Sequence, residues 1–590
     1  MDGPKRIRKK KKFGDEEMEV ILWMTRRPLP VETKASKGDD GENWDGLEEK
    51  SLDGAGFGFC PPLNTRTYMA AAGIVCEQDV PVTLRDGTVI YTDIYHPQGQ
   101  TSIPAIVSWS YFGKRPGDGF DEWQIIGVPP GTVSRMAKFE SPDPGFWCHH
   151  GYAVANVDPR GIGNSQGDVD MFGTQDAQDG YDFIEWLASQ HWCNGKVGMG
   201  GNSGVAMTQW RIAAAQPPHL TCIAPWEGTG DLYRESLFEG GIPALGFANF
   251  IVNSLVGQGY VDDIAAMAAE HPFLDAYWED KIPRWKDIRI PVSTTICWNH
   301  FHLRGSMEGF RRIRSRKKWL RAHREFEWPD TYSSFGLEDL KRFYDRYLKG
   351  IHNGWEMTPR IRIEVMDAYE FDYATNRPEK EFPLARTEYK KLYIDAGKGS
   401  LSEAPAPQES KVAYEAETGL ASFAMALKED TEITGFMKLR LWVEAEGHDE
   451  MDLFVSVRKL DEAGNWLPVH VLGEPHPGAW GKMRVSRREL DEKLSTHFQP
   501  IQAHQRNQKL KPGEIVPVDI EIWPHSRIWH KGQQLEVVVS GHYIREGWFE
   551  PLSWETNNQG KHVIHSGGQY DSYLQVPVIP PRYKAGSVVY

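Results

Sequence analysis

Cysteine is scarce in this 590-residue chain. There are six, Cys60, Cys76, Cys148, Cys193, Cys222 and Cys297, widely separated and never in a metal-ligand spacing. That excludes a disulfide framework and a zinc knuckle, and it predicts a reducing, cytoplasmic setting. No apolar run approaches the roughly 18 residues needed to cross a bilayer, and the N-terminus lacks the apolar stretch of a secretory signal. Neither membrane spanning nor secretion is expected. Basic residues are in deficit, 67 against 82 acidic ones, for a net charge of −15, which argues against a phosphate-backbone partner such as nucleic acid. Internal repeats and low-complexity tracts are absent too. What is present is 40% hydrophobic residues with 22 Trp, 57 Gly and 38 Pro, the composition of large aromatic-rich cores joined by many turns. The length predicts two to four packed units.

Residues 1–55 open on the basic run Lys5 to Lys12, KRIRKKKK, and continue through charged, Gly/Asp-rich sequence. This is poor core material and reads as a charged, loosely attached extension with no assigned function. From 56 to 225 the pattern is α/β. A hairpin (Val80–Leu84, Val89–Tyr95) is followed by buried-strand runs at Ala105–Trp109, Tyr152–Val157, Lys196–Met199 and Leu220–Ala224, separated by helical segments such as Asp179–Gln190. Residues 226–288 are too long for an ordinary connection and contain helical sequence such as Tyr260–Glu270, so they predict a helical cap. The α/β pattern resumes over 289–360 with the strand Pro291–Ile296 and the helix Leu337–Lys349. From 361 to 590 strands follow one another without helices, as in Ile361–Val365, Gly435–Val443 and Val516–Trp523, predicting an all-β sandwich or jelly roll.

The chemistry concentrates in Lys196-Val-Gly-Met-Gly-Gly-Asn-Ser203-Gly-Val-Ala206, an apolar strand that runs into a helix through a Gly-rich turn with Ser at its apex. A nucleophilic serine needs this setting. Its turn presses neighbouring backbone together, so small residues must flank it, and the N–H of Gly204 then faces a developing oxyanion.

With this turn, the segments Asp79–Gly87, Asp158–Gly167, Asp179–Leu187 and His565–Tyr573 resemble the cocaine-esterase / X-Pro dipeptidyl-peptidase family of serine hydrolases over about residues 75 to 580. The resemblance implies an α/β-hydrolase core with a helical cap and a C-terminal jelly roll. It also implies acyl transfer by a Ser/His/Asp triad, with no cofactor and no metal. On it, the base is His323, with His300 and His302 as competitors. The acid position departs from the family: after the strand ending Trp298 the chain reads Asn-His-Phe-His, so Asn299 is the nearest equivalent, with Glu327 or Asp330 as carboxylates from elsewhere. The family's oxyanion tyrosine aligns with Phe112, leaving Tyr111 one residue off as the donor beside Gly204. Asp158, Arg160 and Gly161 are expected to support the elbow, and Glu235 or Glu239 of the cap could anchor an amine.

Trp109, Phe112, Trp226, Trp298 and Phe301 fall at strand ends where such a site opens, suiting an apolar or ring-bearing substrate. The leading expectation is a serine esterase or amidase acting on a small-molecule ester or amide through an acyl-enzyme. The alternatives are an α/β-hydrolase-fold enzyme catalysing cyclisation or elimination on a natural product, and a catalytically inactive binding protein. A C-terminal β domain of this kind can also pair subunits into a homodimer.

Overall fold

The structure, a computed structural model, describes residues 5–26, 34–37, 43–48, 60–115, 126–544 and 552–581. Near-continuous apolar runs become strands covered on both faces. Seven lie parallel in the order Ala153–Asp158, Ile103–Trp109, Cys193–Asn202, Leu220–Trp226, Val292–Cys297, Lys318–His323, Ile361–Met366. Val89–Pro97, Ile74–Thr83 and Arg66–Ala71 extend one edge in antiparallel pairing. Helices Thr174–Ala188 and Gly204–Ala214 put Phe183, Leu187, Trp210 and Ile212 on one face, against Ala105, Val107 and Ala155. Helix Ser334–Tyr347 puts Leu340, Phe343 and Tyr344 on the other, against Ile106, Val154 and Ala224. The alternation of one strand feeds both cores.

Two segments make pairings that the sequence does not predict. Ile361–Met366 also pairs in parallel with the α/β sheet, in register with Lys318–His323 through Leu320 and Ile361. A strand pattern alone does not say which sheet takes it. It continues into the C-terminal all-β domain by a bridge from Met366 to Arg527. There the long strand Thr431–Glu446 pairs with Val516–Trp529, Lys561–Ser566 and Tyr573–Ile579, and its alternate residues Leu439, Leu441 and Val443 join Leu453, Val455, Ile520 and Val537 in a separate core.

The second segment is the basic N-terminus. Residues 6–24 form a hairpin (Arg6–Phe13, Glu16–Met24) whose second strand pairs with Tyr260–Asp262 of the cap. Val20, Ile21 and Leu22 are buried there, while Arg6 pairs with Asp263 (2.7 Å), Lys11 with Asp262 (2.9 Å) and Asp170 (3.2 Å), Lys9 with Asp168 and Arg8 with Glu270. A run that looks like a solvated tail is therefore docked, because the cap and the core loop at Asp168 and Asp170 present the matching acids. The remaining cap consists of helices Leu245–Ser254, Ile264–Glu270 and Ala276–Asp280; the expected helix from Tyr260 begins only at Ile264. Among the described residues no helix is long and apolar enough to cross a membrane.

Candidate active site

Ser203 ends the strand Cys193–Asn202 and opens the helix Gly204–Ala214 at φ 52°, ψ −123°. That left-handed backbone is costly for a residue with a Cβ, and such strain collects at functional sites. The turn is possible because its neighbours are bare. A Cβ on Gly201 would stand 2.5 Å from Val205 Cγ1 and 2.6 Å from the Glu140 carbonyl, and one on Gly228 would stand 2.9 Å from Ala206 Cβ. The Ser203 amide is tied to the Trp226 and Glu227 carbonyls (3.2 and 3.0 Å). Its side chain does not cap the helix but turns to His302, Oγ to Nε2 3.0 Å. The first helical amides, Gly204's among them, are thereby left facing the half-exposed mouth of the site.

The nucleophile's partner is thus His302 and not His323. His302 opens the turn into helix Leu303–Arg312, and its Nδ1 lies 2.8 Å from Thr229 Oγ1. His323, the last residue of its strand, is buried under the elbow with Nε2 2.8 Å from Glu227 Oε1 and 3.2 Å from Asp330 Oδ2, and with Nδ1 3.0 Å from the Glu325 carbonyl. Burial pushes it down to about 4. A carbonyl only accepts, so Nδ1 carries the proton. The Nε2 lone pair faces Glu227, whose carboxyl is pushed well above the usual range by burial and by the nearby charges of Glu327 and Asp330.

Asn299 does not orient an imidazole. Its Nδ2 contacts Met366 Sδ at 3.4 Å and its Oδ1 is buried without a partner. The two carboxylates from elsewhere are not in a solvated turn but buried in the helix Glu327–Thr331. Asp330 forks onto Arg321 and accepts from Trp226 Nε1 (3.1 Å); against the cost of burial, Arg321 and His323 hold it below the ordinary range. Glu327 accepts from Asn202 Nδ2 at 3.1 Å and stands 3.4 Å from His300 Nε2.

Tyr111 is not an oxyanion donor. Its hydroxyl donates to Asp176 Oδ2 (2.7 Å) and accepts from the Phe172 amide (2.9 Å). The residue one step along, Phe112, is the one beside Gly204, its ring 3.5 Å from where a Cβ there would be. Three of the five expected lining aromatics are core or support: Trp109 donates to Asp176 (2.7 Å), Trp226 to Asp330, and Trp298 to the Glu364 carbonyl (2.9 Å), all buried. Phe112 and Phe301 do reach the mouth. Ring contacts run from Phe112 through Phe139 to Trp328 and Phe326, then across His300 to Phe301 and Phe247, with centroid spacings of 4.2 to 5.9 Å.

Neither cap glutamate is free for an amine. Glu235 is held by Arg304 (2.9 Å) and two backbone amides, and Glu239 by Lys482 (2.5 Å) and Trp480 (3.2 Å). Asp158 receives Lys114 (3.1 Å), and Arg160 spans Asp179 and Asp86 (2.6 and 2.8 Å). Thr229, Glu140 and Phe139 were invisible as site residues in the sequence. They lie on loops whose arrival at Ser203 is purely tertiary.

His300, His302 and Glu327 bring ring nitrogens and a carboxylate oxygen within 4.8 Å of one another, the one such group among the described residues. The donor set does not fit a metal. The His302 amide donates to His300 Nδ1 (3.0 Å), which uses that ring's lone pair and leaves Nε2 protonated, turned to Glu327 and not available as a ligand.

Comparison with known proteins places the chain. Residues 86–263 match the model of the X-Pro dipeptidyl-peptidase (S15) family, and residues 353–575 that of the X-Pro dipeptidyl-peptidase C-terminal non-catalytic domain. A CocE/NonD family hydrolase from Staphylococcus aureus is 36% identical, covers 86% of this chain and 94% of its own, and superposes with a TM-score of 0.81. Cocaine esterase of a Rhodococcus species is 22% identical over 85% of this chain and 98% of its own. An aminopeptidase of a marine-sediment archaeon shares the fold at 15% identity, with a TM-score of 0.65 over 92% of this chain and all of its own. The chain belongs to the CocE/NonD and X-Pro dipeptidyl-peptidase family of hydrolases.

Proposed function

We propose that this protein is a serine hydrolase that cleaves an ester, or an amide, of a small apolar or ring-bearing molecule through an acyl-enzyme. The 3.0 Å contact between Ser203 Oγ and His302 Nε2 carries the reading. His302 is neutral at rest, since burial and the neighbouring His300 hold it well below its ordinary value. In the tautomer that accepts the Ser203 proton at Nε2, the ring N–H is on Nδ1 and donates to the Thr229 hydroxyl. As Oγ bonds to the substrate carbonyl carbon, the serine proton passes to Nε2 and the oxyanion turns to the Gly204 amide. The leaving group departs with the His302 proton, and water repeats the sequence to free the acid. The rim from Phe112 to Phe247 offers rings, with His300 kept neutral by burial, which favours apolar substrate groups. Six free cysteines suit the reducing, cytoplasmic setting proposed for it.

Labelling with a fluorophosphonate, followed by peptide mapping, tests the reading. Modification at Ser203 is expected in the wild type and in His323→Phe, and is expected to vanish in Ser203→Ala and His302→Ala. Folded wild-type protein that takes no label would overturn it. That result would favour the non-hydrolytic alternative, which the neutral partner of His302 and the missing hydroxyl at Phe112 otherwise support.

A further inference from the structure

Three glutamates are buried around the elbow: Glu140, Glu227 and Glu327. Glu140 and Glu227 are both left-handed in backbone (φ 61° and 57°), as is Ser203. All three carboxyls are driven well above the ordinary range, by burial first; Glu327's charge adds to the shift at the other two. They cannot all ionise together at neutral pH, so the chemistry depends on which gives up its proton first.

Hydrogen-bond donors decide this. Glu227 faces His323 Nε2, which presents a lone pair, and no side chain donates to either of its oxygens, the Cys297 backbone being the one group that favours its charged form by hydrogen bonding. Glu140 is met by Trp328 Nε1 at 3.2 Å and also faces the Ser203 hydroxyl, and the cation facing it, Lys138, is itself pushed down to about 7 by burial. Glu327 accepts from Asn202 Nδ2 at 3.1 Å on one oxygen, and the His300 Nε2 stands 3.4 Å from the other without completing a hydrogen bond. A donated N–H on one oxygen and a second N–H close to the other favour the charged form of this buried carboxylate. The nearest stronger cation, Arg321, is spent on Asp330.

Glu327 also lies close to the base. One of its oxygens and a ring nitrogen of His302 are within 4.8 Å, while the Nδ1 of His302 meets only the uncharged Thr229. We propose that Glu327 is the acid of this site: held by Asn202 and close to His300, its carboxylate balances the charge of His302 at short range, without bonding to Nδ1, when that imidazole takes the Ser203 proton. Glu327 neither gains nor loses a proton in the step. It is a positioning residue that acts through His302, reached from a different strand connection than an acid bonded to Nδ1. Asn202, one residue before the nucleophile, thereby couples the elbow to its acid.

This proposal rests on Ser203 and His302 being the reacting pair. The experiment measures the second-order rate of fluorophosphonate labelling from pH 5 to 9 in wild type, His302→Ala, Glu327→Gln and Glu327→Asp, with thermal unfolding of each. In the wild type the rate is expected to rise through one ionisation above the ordinary carboxyl range. Glu327→Gln should lower the plateau by about 10²-fold, less than the roughly 10⁴-fold cost of neutralising a directly bonded acid, and should abolish that rise. Glu327→Asp, which keeps the charge, should keep the rise; it serves as the deciding variant if the glutamine form unfolds. Failure of His302→Ala to lose labelling would overturn the underlying pair. Loss in His302→Ala with a wild-type pH profile in Glu327→Gln, or loss of the rise in Glu327→Asp, would overturn the role of Glu327 alone.

Discussion

Thr229→Val is the most direct probe of how His302 is held. The threonine is fully buried, and valine keeps its shape while removing the hydroxyl that meets Nδ1 at 2.8 Å. At rest the lost bond joins two neutral groups, worth about 1 kcal/mol. In the transition state the same N–H belongs to an imidazolium, for which such bonds are worth about 1.5–3 kcal/mol. The difference, about 1.4 kcal/mol, is what catalysis loses, so kcat should fall about 10-fold, with KM unchanged because Thr229 lies behind the ring. Leaving Nδ1–H without an acceptor should also cost about 1–3 kcal/mol of stability. Steady-state kinetics on a chromogenic ester and a urea titration would read the two effects separately, and Thr229→Ser should restore most of both. A loss of 10³-fold or more would show that Thr229 does what a charged acid does, and an unchanged kcat would show that Nδ1 is not held here during the reaction. Either refutes the reasoning.

Glu227 bears on stability with a definite sign. Its folded carboxyl titrates above the unfolded one, so the contribution present at low pH is lost as the pH rises past about 4.3. Glu227→Gln removes that loss and supplies an N–H for the His323 lone pair. Its Tm should therefore gain on the wild type progressively between pH 5 and 8, and a constant difference would contradict the assignment. At the N-terminal hairpin, Lys11→Glu turns a carboxylate toward Asp262, which is fully buried, and Asp170; breaking such a pair costs about 3–5 kcal/mol, read from the urea midpoint. Phe112→Tyr places a hydroxyl beside Gly204 and should raise kcat for ester hydrolysis, a single donor being worth about 3 kcal/mol when fully aligned. A fall in kcat there would mean that the ring, not the missing hydroxyl, is what the site uses.

The sheet was legible because burial on both faces leaves a direct trace in composition: Ala105–Trp109, Leu220–Ala224 and Pro291–Ile296 are apolar runs too short for helices, and each is a parallel strand. The nucleophile was legible for a related reason. Its turn needs bare backbone, and Gly201 records that need in the chain itself. The pairing of Ile361–Met366 with the α/β sheet was not legible because a strand's pattern reports burial and not its partner, and the docking of residues 5–12 was not because charge pairing with Asp168, Asp262, Asp263 and Glu270 depends on residues more than 150 positions away.

The base shows where the limit falls. His302 follows one strand of the sheet and His323 ends the neighbouring one, and nothing local tells which of them meets the serine. What separates them is a close approach of two loops. A Cβ on Gly305 would stand 2.4 Å from the Gly230 amide and 2.6 Å from Glu235 Oε2, and Gly230 would collide with Trp285 at 2.4 Å. Glycines on both sides let the start of helix Leu303–Arg312 settle on the Gly228–Gly230 turn, where the Ser306 hydroxyl accepts from the Gly228 amide at 2.8 Å. That contact delivers Thr229 to one nitrogen of His302 and Ser203 to the other. His323, whose position is fixed by a regular strand, instead points where the strand's alternation sends it, into the layer of Glu227 and Asp330 beneath the elbow. A residue on a turn is placed by the small residues around it; in this chain those residues, not the histidines themselves, carry the information about which imidazole meets the serine.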